Sequence, residues 1–385
     1  MDFNISDSFL SDFPLTVFVA AFALLLSWIM QLWFLLKRVF PLAVYKNPEI
    51  NHNIEEPLSV IICAKNESNN LKKFLPEILT QEYPNYEVIV VNDCSEDNTE
   101  TILAELKEKY PKLYYTTIPV DKKFKHGKKL AISIGIKAAK NENLVFTDAD
   151  CRSVSKKWLK HMATALTKDN IEIVTGFGGY EKRRGFFNQL VRYDAFFAAI
   201  QYMGFTASKK PYMGTGRNLA YKKGLYIKTK GFRNHSHILS GDDDLFVHQA
   251  ANKENTTILI NKESQTISKA PDSFKEWIDQ KSRHLSTTPL YKKNIKRELA
   301  LEPLSRIIFW TSAVFLMFFN IFVLLASFFI VTKIIMQLIM WRKIAKKMEQ
   351  EKLYLSVTWF EFIHPFLLLI PYFGYLLGKE KNSWK

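Results

Sequence analysis

No glycine-rich phosphate loop occurs in this sequence, neither the dinucleotide fingerprint nor the form ending in Lys-Ser or Lys-Thr. The two commonest backbone cradles for a nucleotide are therefore excluded. Cysteine is scarce as well, with Cys63, Cys94 and Cys151 the only three. None has metal-ligand spacing, so they read as reduced thiols filling space near strand ends. None stands in a recognisable relation to a histidine, which argues against a nucleophilic thiol. Positive charge is missing ahead of the first long apolar run, where Asp2, Asp7 and Asp12 are the only charged residues. A secretory leader begins with basic residues, so this run is expected to be an uncleaved membrane anchor. The formal charge of +15 comes with no nucleic-acid-binding motif. It suits an anionic membrane surface or a phosphorylated substrate, and nucleic acid is not expected as a partner.

Long apolar runs are present. The first extends from Phe13 to Leu36 between Asp12 and Lys37; at ~1.5 Å per residue it can cross a ~30 Å hydrocarbon layer. A second runs from Ile307 to Thr332. A third, from Leu353 to Leu377, contains Glu361, His364, Pro365 and Pro371, and reads equally as a kinked span, a re-entrant segment or an interfacial helix. Lys37, Arg38 and Lys46 follow the first run, and the positive-inside rule then puts residues 40–305 in the cytoplasm, behind the cell (inner) membrane. Arg342, Lys343, Lys346 and Lys347, with Lys379, Lys381 and Lys385 in the tail, ask for the same side. A tight hairpin within 307–341 meets that demand. The expected division is an anchor over 1–40, a catalytic domain over 41–270, amphipathic interfacial helices over 271–306, and membrane segments with a basic tail over 307–385.

Residues 58–150 alternate short apolar runs with helical patterns, the signature of a parallel sheet built from strand-helix-strand units. Strands are expected at 58–63, 86–93, 113–118 and 143–148. Asn66 or Ser68 is placed to cap a helix whose Leu71, Phe74, Leu75, Ile78 and Leu79 share a face. Such a sheet carries its functional residues at the carboxyl ends of its strands. Those are Ala64, Asn66 and Glu67 after the first, Asp93 after the second, and Asp148, Ala149 and Asp150 after the fourth.

Asp148-Ala149-Asp150 can turn one carboxylate to a metal and one to a substrate; Mg2+ or Mn2+ held this way takes its remaining ligands from phosphate and water. Paired aspartates also cap helices, and the position after a buried strand favours the metal reading. Gly241-Asp242-Asp243-Asp244 opens a helical pattern. One or two acids would serve the cap and dipole, whereas three repel one another and raise at least one pKa, as a general base requires. Met213-Gly214-Thr215-Gly216-Arg217-Asn218 is a turn where backbone approaches something closely, with packing and binding equally good explanations. Phe274, Trp277, Ile278 and Leu285 share one side of a helix suited to the bilayer surface. Gln280 and Arg283 share another, facing either a diphosphate or solvent. The basic run Lys122, Lys123, Lys125, Lys128 and Lys129 precedes the fourth strand.

The ordered set SVIICAKNE, VIVVNDCSEDNT, HGKKLAISIGIKAAK, VFTDADC, GTGRNLAYKK, SGDDD and QKSRH, spanning about 58–285, resembles the membrane-bound family 2 glycosyltransferases. Polysaccharide synthases of the cellulose, chitin, hyaluronan and poly-N-acetylglucosamine type are similar in layout, as are smaller lipid-directed transferases. The resemblance implies an α/β, GT-A-type, Rossmann-like domain with a mostly parallel sheet and membrane or interfacial helices at both ends. It implies a nucleotide-sugar donor, with UDP-sugars favoured, held by Ala64, Asn66, Glu67, Asp93, Lys128, Asp148, Gln280 and Arg283. A metal on Asp150 and Asp148 and a catalytic base at Asp243 are also implied. Gly214, Thr215, Gly216, Asp242 and His284 would lie on the acceptor side. The family's Gln-x-x-Arg-Trp signature ends here in His284, and His offers less flat apolar area for stacking on a sugar than Trp. That departure favours one transfer to a lipid-linked or membrane-presented saccharide acceptor over processive synthesis. An inactive scaffold is the reading from another class, and the intact acids at 93, 148, 150 and 243 argue against it.

Overall fold

The computed structural model describes residues 14–120, 127–238, 240–350 and 352–376. Asp2, Asp7, Asp12, Lys122, Lys123, Lys125, Lys379, Lys381 and Lys385 lie outside the described residues.

Helix α1 (Leu15–Val44) comes first and contains a π-helical turn at Leu35–Val39. Then β1 (Leu58–Ala64), α2 (Ser68–Leu79), β2 (Tyr86–Asp93), α3 (Thr99–Lys109), β3 (Leu113–Ile118), α4 (Lys128–Ala138) and β4 (Asn143–Asp148) alternate. All seven residues of β1 and all eight of β2 are buried, because alternate side chains enter different cores. Val60 and Ile62 pack with Leu71 and Leu75 of α2, whereas Ile61 and Cys63 pack with Ala131 and Ile132 of α4. Helix α2 starts at Ser68 behind Glu67, whose side chain makes no capping bond; Asp97 Oδ2 instead accepts the Ser68 amide at 3.1 Å, so the expected cap at Asn66 or Ser68 does not form.

In the second half of the domain only the short strand after the glycine-rich turn and the helix opened by the acid triplet were anticipated from the sequence. That half holds β5 (Cys151–Ser153), α5 (Trp158–Leu166), β6 (Ile173–Gly176), β7 (Gly178–Tyr180), α6 (Phe186–Ala207), β8 (Leu219–Lys222), α7 (Lys223–Lys228), α8 (Asp244–Ala250), β9 (Thr256–Leu259) and β10 (Thr266–Ser268). The main sheet runs β3-β2-β1-β4-β8-β6-β9, and β8 is antiparallel to both its neighbours. A small sheet runs β5-β10-β7. The chain passes from one sheet to the other between β4 and β5, at Asp148-Ala149-Asp150.

The chain continues through α9 (Phe274–Leu285), α10 (Lys293–Met317), α11 (Asn320–Lys347), α12 (Val357–Leu367) and α13 (Leu369–Leu376). Among the described residues, four helical stretches are long and apolar enough to cross a membrane: Leu15–Val44, Lys293–Met317, Asn320–Lys347 and Leu353–Gly374. The apolar run at Ile307–Thr332 is two helices rather than one, joined at Phe318-Phe319, so a turn falls inside 307–341. Because α10 begins at Lys293, the division expected at 306 lies within a helix. The third apolar run is broken into α12 and α13, with Glu361 and His364 fully buried. On α9, Phe274 stays exposed but Trp277 is buried against Tyr180 and Val191. Protein thus covers part of the apolar side expected to meet the bilayer.

Candidate functional site

Gly135 lets α4 settle onto the sheet: a Cβ there would meet Ile61 Cγ2 at 2.6 Å. Lys128, the first residue of α4, is thereby held over the end of β4. Its ammonium lies 2.8 Å from Asp148 Oδ1 and 3.1 Å from Asp242 Oδ2. Burial works against this charge, but Asp148, Asp242 and Asp243 outweigh it and hold Lys128 well above the ordinary lysine range. The next lysine in the run, Lys129, donates to the carbonyls of His235 and Ile238 at 2.7 and 2.9 Å, so it serves packing of the segment that leads to the acid triplet.

The three consecutive acids have divided partners. Asp244 is buried; its Oδ1 accepts the Leu245 amide at 2.7 Å and its Oδ2 accepts the hydroxyls of Tyr291, at 2.6 Å, and Thr287. Asp242 pairs with Lys128. Asp243 lies between them, Oδ2 accepting the Gly216 amide at 2.6 Å and Oδ1 the Asp244 amide at 2.7 Å. Burial raises all three carboxyls. The charge of Asp244 raises Asp243 further while Lys128 opposes, and hydrogen bonds from Thr287 and Tyr291 ease Asp244. Capping therefore accounts for part of the triplet, as Asp243 does accept an amide of the first turn. It leaves the Lys128 contacts unexplained. Lys128, Asp148, Gly216, Asp242 and Asp243 line one pocket enclosing about 300 Å3, its open mouth included.

Asp150 flanks this pocket rather than lining it. Carboxylate oxygens of Asp148 and Asp150 and the Cys151 thiol all lie within 4.8 Å of one another. Burial and then the charge of Asp148 raise Asp150, against Arg217 and Lys128. Two mutually repelling carboxylates at this spacing fit a hard divalent cation that completes its shell from phosphate and water. Cys151 does not fit, because burial keeps its thiol protonated. Glu67 faces the same acids: burial raises it, and the charges of Asp150 and Asp148 add to that effect.

Other expected residues are distributed less simply. Asn66 adopts φ 56° and joins two loops, its Oδ1 accepting the Glu96 amide and its own amide donating to Ser95 Oγ, both at 2.8 Å. Ala64 and Asp93 end β1 and β2 as anticipated, but both are 0% exposed. Gly214 faces Thr175, Leu219 and Val247, so its missing side chain serves packing instead of the cleft. Thr215 forms the turn, its carbonyl accepting the Asn218 amide at 3.0 Å. Gly216 borders the pocket: a Cβ there would stand 3.2 Å from Lys128 Nζ and 3.4 Å from Asp243 Oδ2. Gln280 Oε1 accepts the Tyr180 hydroxyl at 3.0 Å, and Arg283 and the exposed His284 lie one turn along α9.

Two residues were given no role by sequence reasoning. The Arg217 guanidinium lies 4.4 Å from the Tyr180 ring, donates to Gly179 O at 3.3 Å and Ser268 Oγ at 3.2 Å, and supports the charge of Asp150. It stands inside the glycine-rich turn, which was the available signal. Asp194, buried on α6, accepts Trp277 Nε1 at 3.2 Å, pairs with Lys281 and lies 3.0 Å from His364 Nε2. Burial opposes its charge, but Lys281 and His364 hold it well below the usual carboxylate range. Nothing in its local sequence announces this.

Residues 59–231 match the family described as Glycosyl transferase family 2. The poly-β-1,6-N-acetyl-D-glucosamine synthase of Staphylococcus epidermidis is 35% identical over 99 residues, covering 26% of this chain and 23% of that protein. The corresponding synthase of Staphylococcus aureus strain MSSA476 is 30% identical over 124 residues, 32% of this chain and 29% of that one. The matched region thus spans about a quarter of those relatives. Among solved structures, the mannosyltransferase PcManGT from Pyrobaculum calidifontis, in complex with GDP-Man and Mn2+, superimposes with a TM-score of 0.62. At 17% identity it covers 94% of this chain and 100% of its own, which is a likeness of fold. The acids at the sheet junction and at the start of α8 accordingly belong to a GT-A-type fold, and the match to the Glycosyl transferase family 2 model takes in the first of these groups.

Proposed function

We propose that this protein is an inverting glycosyltransferase. It moves a sugar from a nucleotide-diphosphate sugar to a hydroxyl of a lipid-linked or membrane-presented acceptor, on the cytoplasmic face of the cell membrane. The observation that carries this reading is the convergence on Lys128 of Asp148 from the end of β4 and of Asp242 and Asp243 from the start of α8. A divalent cation, Mg2+ or Mn2+, held by Asp150 and Asp148, supplies Lewis-acid stabilisation of the leaving diphosphate when bound. Asp243 takes the proton of the acceptor hydroxyl, its carboxyl already raised by burial and by Asp244. Lys128 exchanges a carboxylate partner for a phosphate oxygen. Gln280, positioned through Tyr180, and Arg283 bind the diphosphate from α9. Asn66 and Glu67 border the nucleotide end, with Asp93 beneath them.

Diphosphate release from a panel of nucleotide-sugars, including UDP-N-acetylglucosamine and GDP-mannose, tests this reading. The expected result is release that requires membranes and a divalent cation, with a UDP-sugar preferred. Release unaffected by a chelator would remove Asp150 and Asp148 from the metal role, and no release from any donor would end the transferase reading. The synthase relatives favour a second reading, repeated chain extension. Product length after incubation with donor separates the two, and a single added sugar is expected.

A further inference from the structure

A second cavity lies away from the acid site, walled by α1, α6, α10 and α11. It encloses about 720 Å3, its open mouth included. Three of its four walls are helices long and apolar enough to cross a membrane. Much of the lining is apolar, with Leu32, Leu35, Phe197 and Met336 among it. The polar groups are unevenly partnered. Arg38, in the π-helical turn of α1, pairs with Glu298 and donates to Ser208 Oγ at 2.8 Å. Lys333 pairs with Glu361. These cations are balanced by carboxylates, and the cavity offers no surplus positive charge to a phosphate.

Three buried polar atoms of lining residues have no hydrogen-bond partner among the described residues: the donors Arg38 Nε and Trp28 Nε1, and the acceptor Glu302 Oε2, whose companion oxygen Oε1 pairs with Arg306 Nε at 2.9 Å. Arg38 and Glu302 are 6% and 8% exposed. Their order along the helices is informative. Gln31 Nε2 donates to the Glu302 carbonyl at 3.1 Å, so Glu302 stands level with Gln31. Trp28 is one turn further into the apolar part of α1, a rise of about 4.5 Å. A ligand whose polar end displaced the packing at this level would meet the Glu302 acceptor and, about one turn deeper, the Trp28 donor, with apolar walls beyond. Leaving such groups unmatched in an apolar setting is costly.

We propose that this cavity binds a neutral membrane lipid of the diacylglycerol class. Its free hydroxyl donates to Glu302 Oε2, an ester carbonyl accepts from Trp28 Nε1, and the acyl chains follow the apolar walls. This goes beyond the transferase reading and needs only the membrane location, so the two can fail separately. The test is lipid retention by the full chain in vesicles of phosphatidylcholine doped equally with diacylglycerol and phosphatidylglycerol, measured by mass spectrometry of lipid co-purifying with the protein. Diacylglycerol should be enriched over phosphatidylglycerol. Trp28→Phe, which keeps the ring and removes only the donor, should lower the enrichment about fivefold, as loss of one buried neutral hydrogen bond implies. Met336→Trp, which fills the cavity from the opposite wall without touching an ion pair, should abolish it. Equal retention of both lipids, preference for the anionic one, or enrichment unchanged in both variants would overturn the proposal.

Discussion

Asp243 sits where two demands conflict. A general base must be ionised to act, yet burial and the neighbouring Asp244 make ionisation costly. Because its folded-state value is raised, the stability it contributes is complete below the ordinary carboxylate range and is lost as pH rises through the raised value. At neutral pH the charge therefore destabilises the fold. Asp243→Asn is expected to lower transfer by about 10²–10⁴-fold, keep donor binding by calorimetry, and raise the thermal midpoint at pH 7, with the midpoint gain shrinking toward pH 4. Near-normal turnover would take Asp243 out of the mechanism. The same raised value displaces the acid limb of the pH-rate profile upward from the ordinary carboxylate range. Gly216→Ala tests the neighbouring wall. Its Cβ would press on Lys128 Nζ at 3.2 Å and touch Asp243 Oδ2 at 3.4 Å, so kcat should fall at least tenfold while the unfolding midpoint moves little. An unchanged kcat would mean that the reacting groups do not meet at this wall.

At the scale of elements, Asp194 ties three helices together through Trp277 and Lys281 of α9 and His364 of α12. Since α9 also carries Gln280 and Arg283, the positioning of those two depends on a residue far from them in sequence. Asp194→Asn retains a hydrogen-bonding side chain but leaves Lys281 without its counter-ion, a loss of about 3 kcal/mol for a broken buried pair. The expected signature is a raised KM for the donor and a lowered midpoint, whereas a uniform loss of active protein with unchanged KM would make the role purely structural. This dependence also explains the limits of sequence reading. β1, β2 and β4 were legible because each is a run of six to eight residues buried almost throughout, and β3, buried only at Leu113, because its β-rich six residues stand between two helical patterns. β5 to β10 are three or four residues long, too short for a period to register, and of these only β8 was legible, through the glycine-rich turn before it. The acids at 148, 150 and 242–244 were legible because like charges crowd at an element's end, where capping alone explains them poorly. Arg217, Tyr180 and Asp194 acquire their roles from contacts across 38 to 170 residues, which composition and spacing do not encode.

At the scale of the whole molecule, the apolar helices and the transferase domain share a core. Tyr193 and Phe196 of α6 pack in one cluster with Leu42 of α1, Ile258 of β9, Trp341 and Ile344 of α11, and Phe360 of α12. The Trp341 ring stacks on Tyr193 at 5.3 Å, and Gly204 allows α6 to approach the Arg38 carbonyl where a Cβ would stand only 2.4 Å away. A detachable anchor would make no such contacts. Cutting the chain after residue 306 should therefore expose the apolar side of α6 and yield aggregated protein instead of a soluble transferase. Trp341→Ala measures the same coupling without truncation. Loss of a buried Trp side chain costs about 3–5 kcal/mol, and the midpoint of the detergent-solubilised full chain should drop accordingly. Diphosphate release should fall with it, because α6 also carries Asp194 and thereby orients α9. A truncated chain that remains monodisperse and releases diphosphate at the rate of the full chain would show the helices to be anchors only. The membrane requirement would then have to come from the acceptor alone.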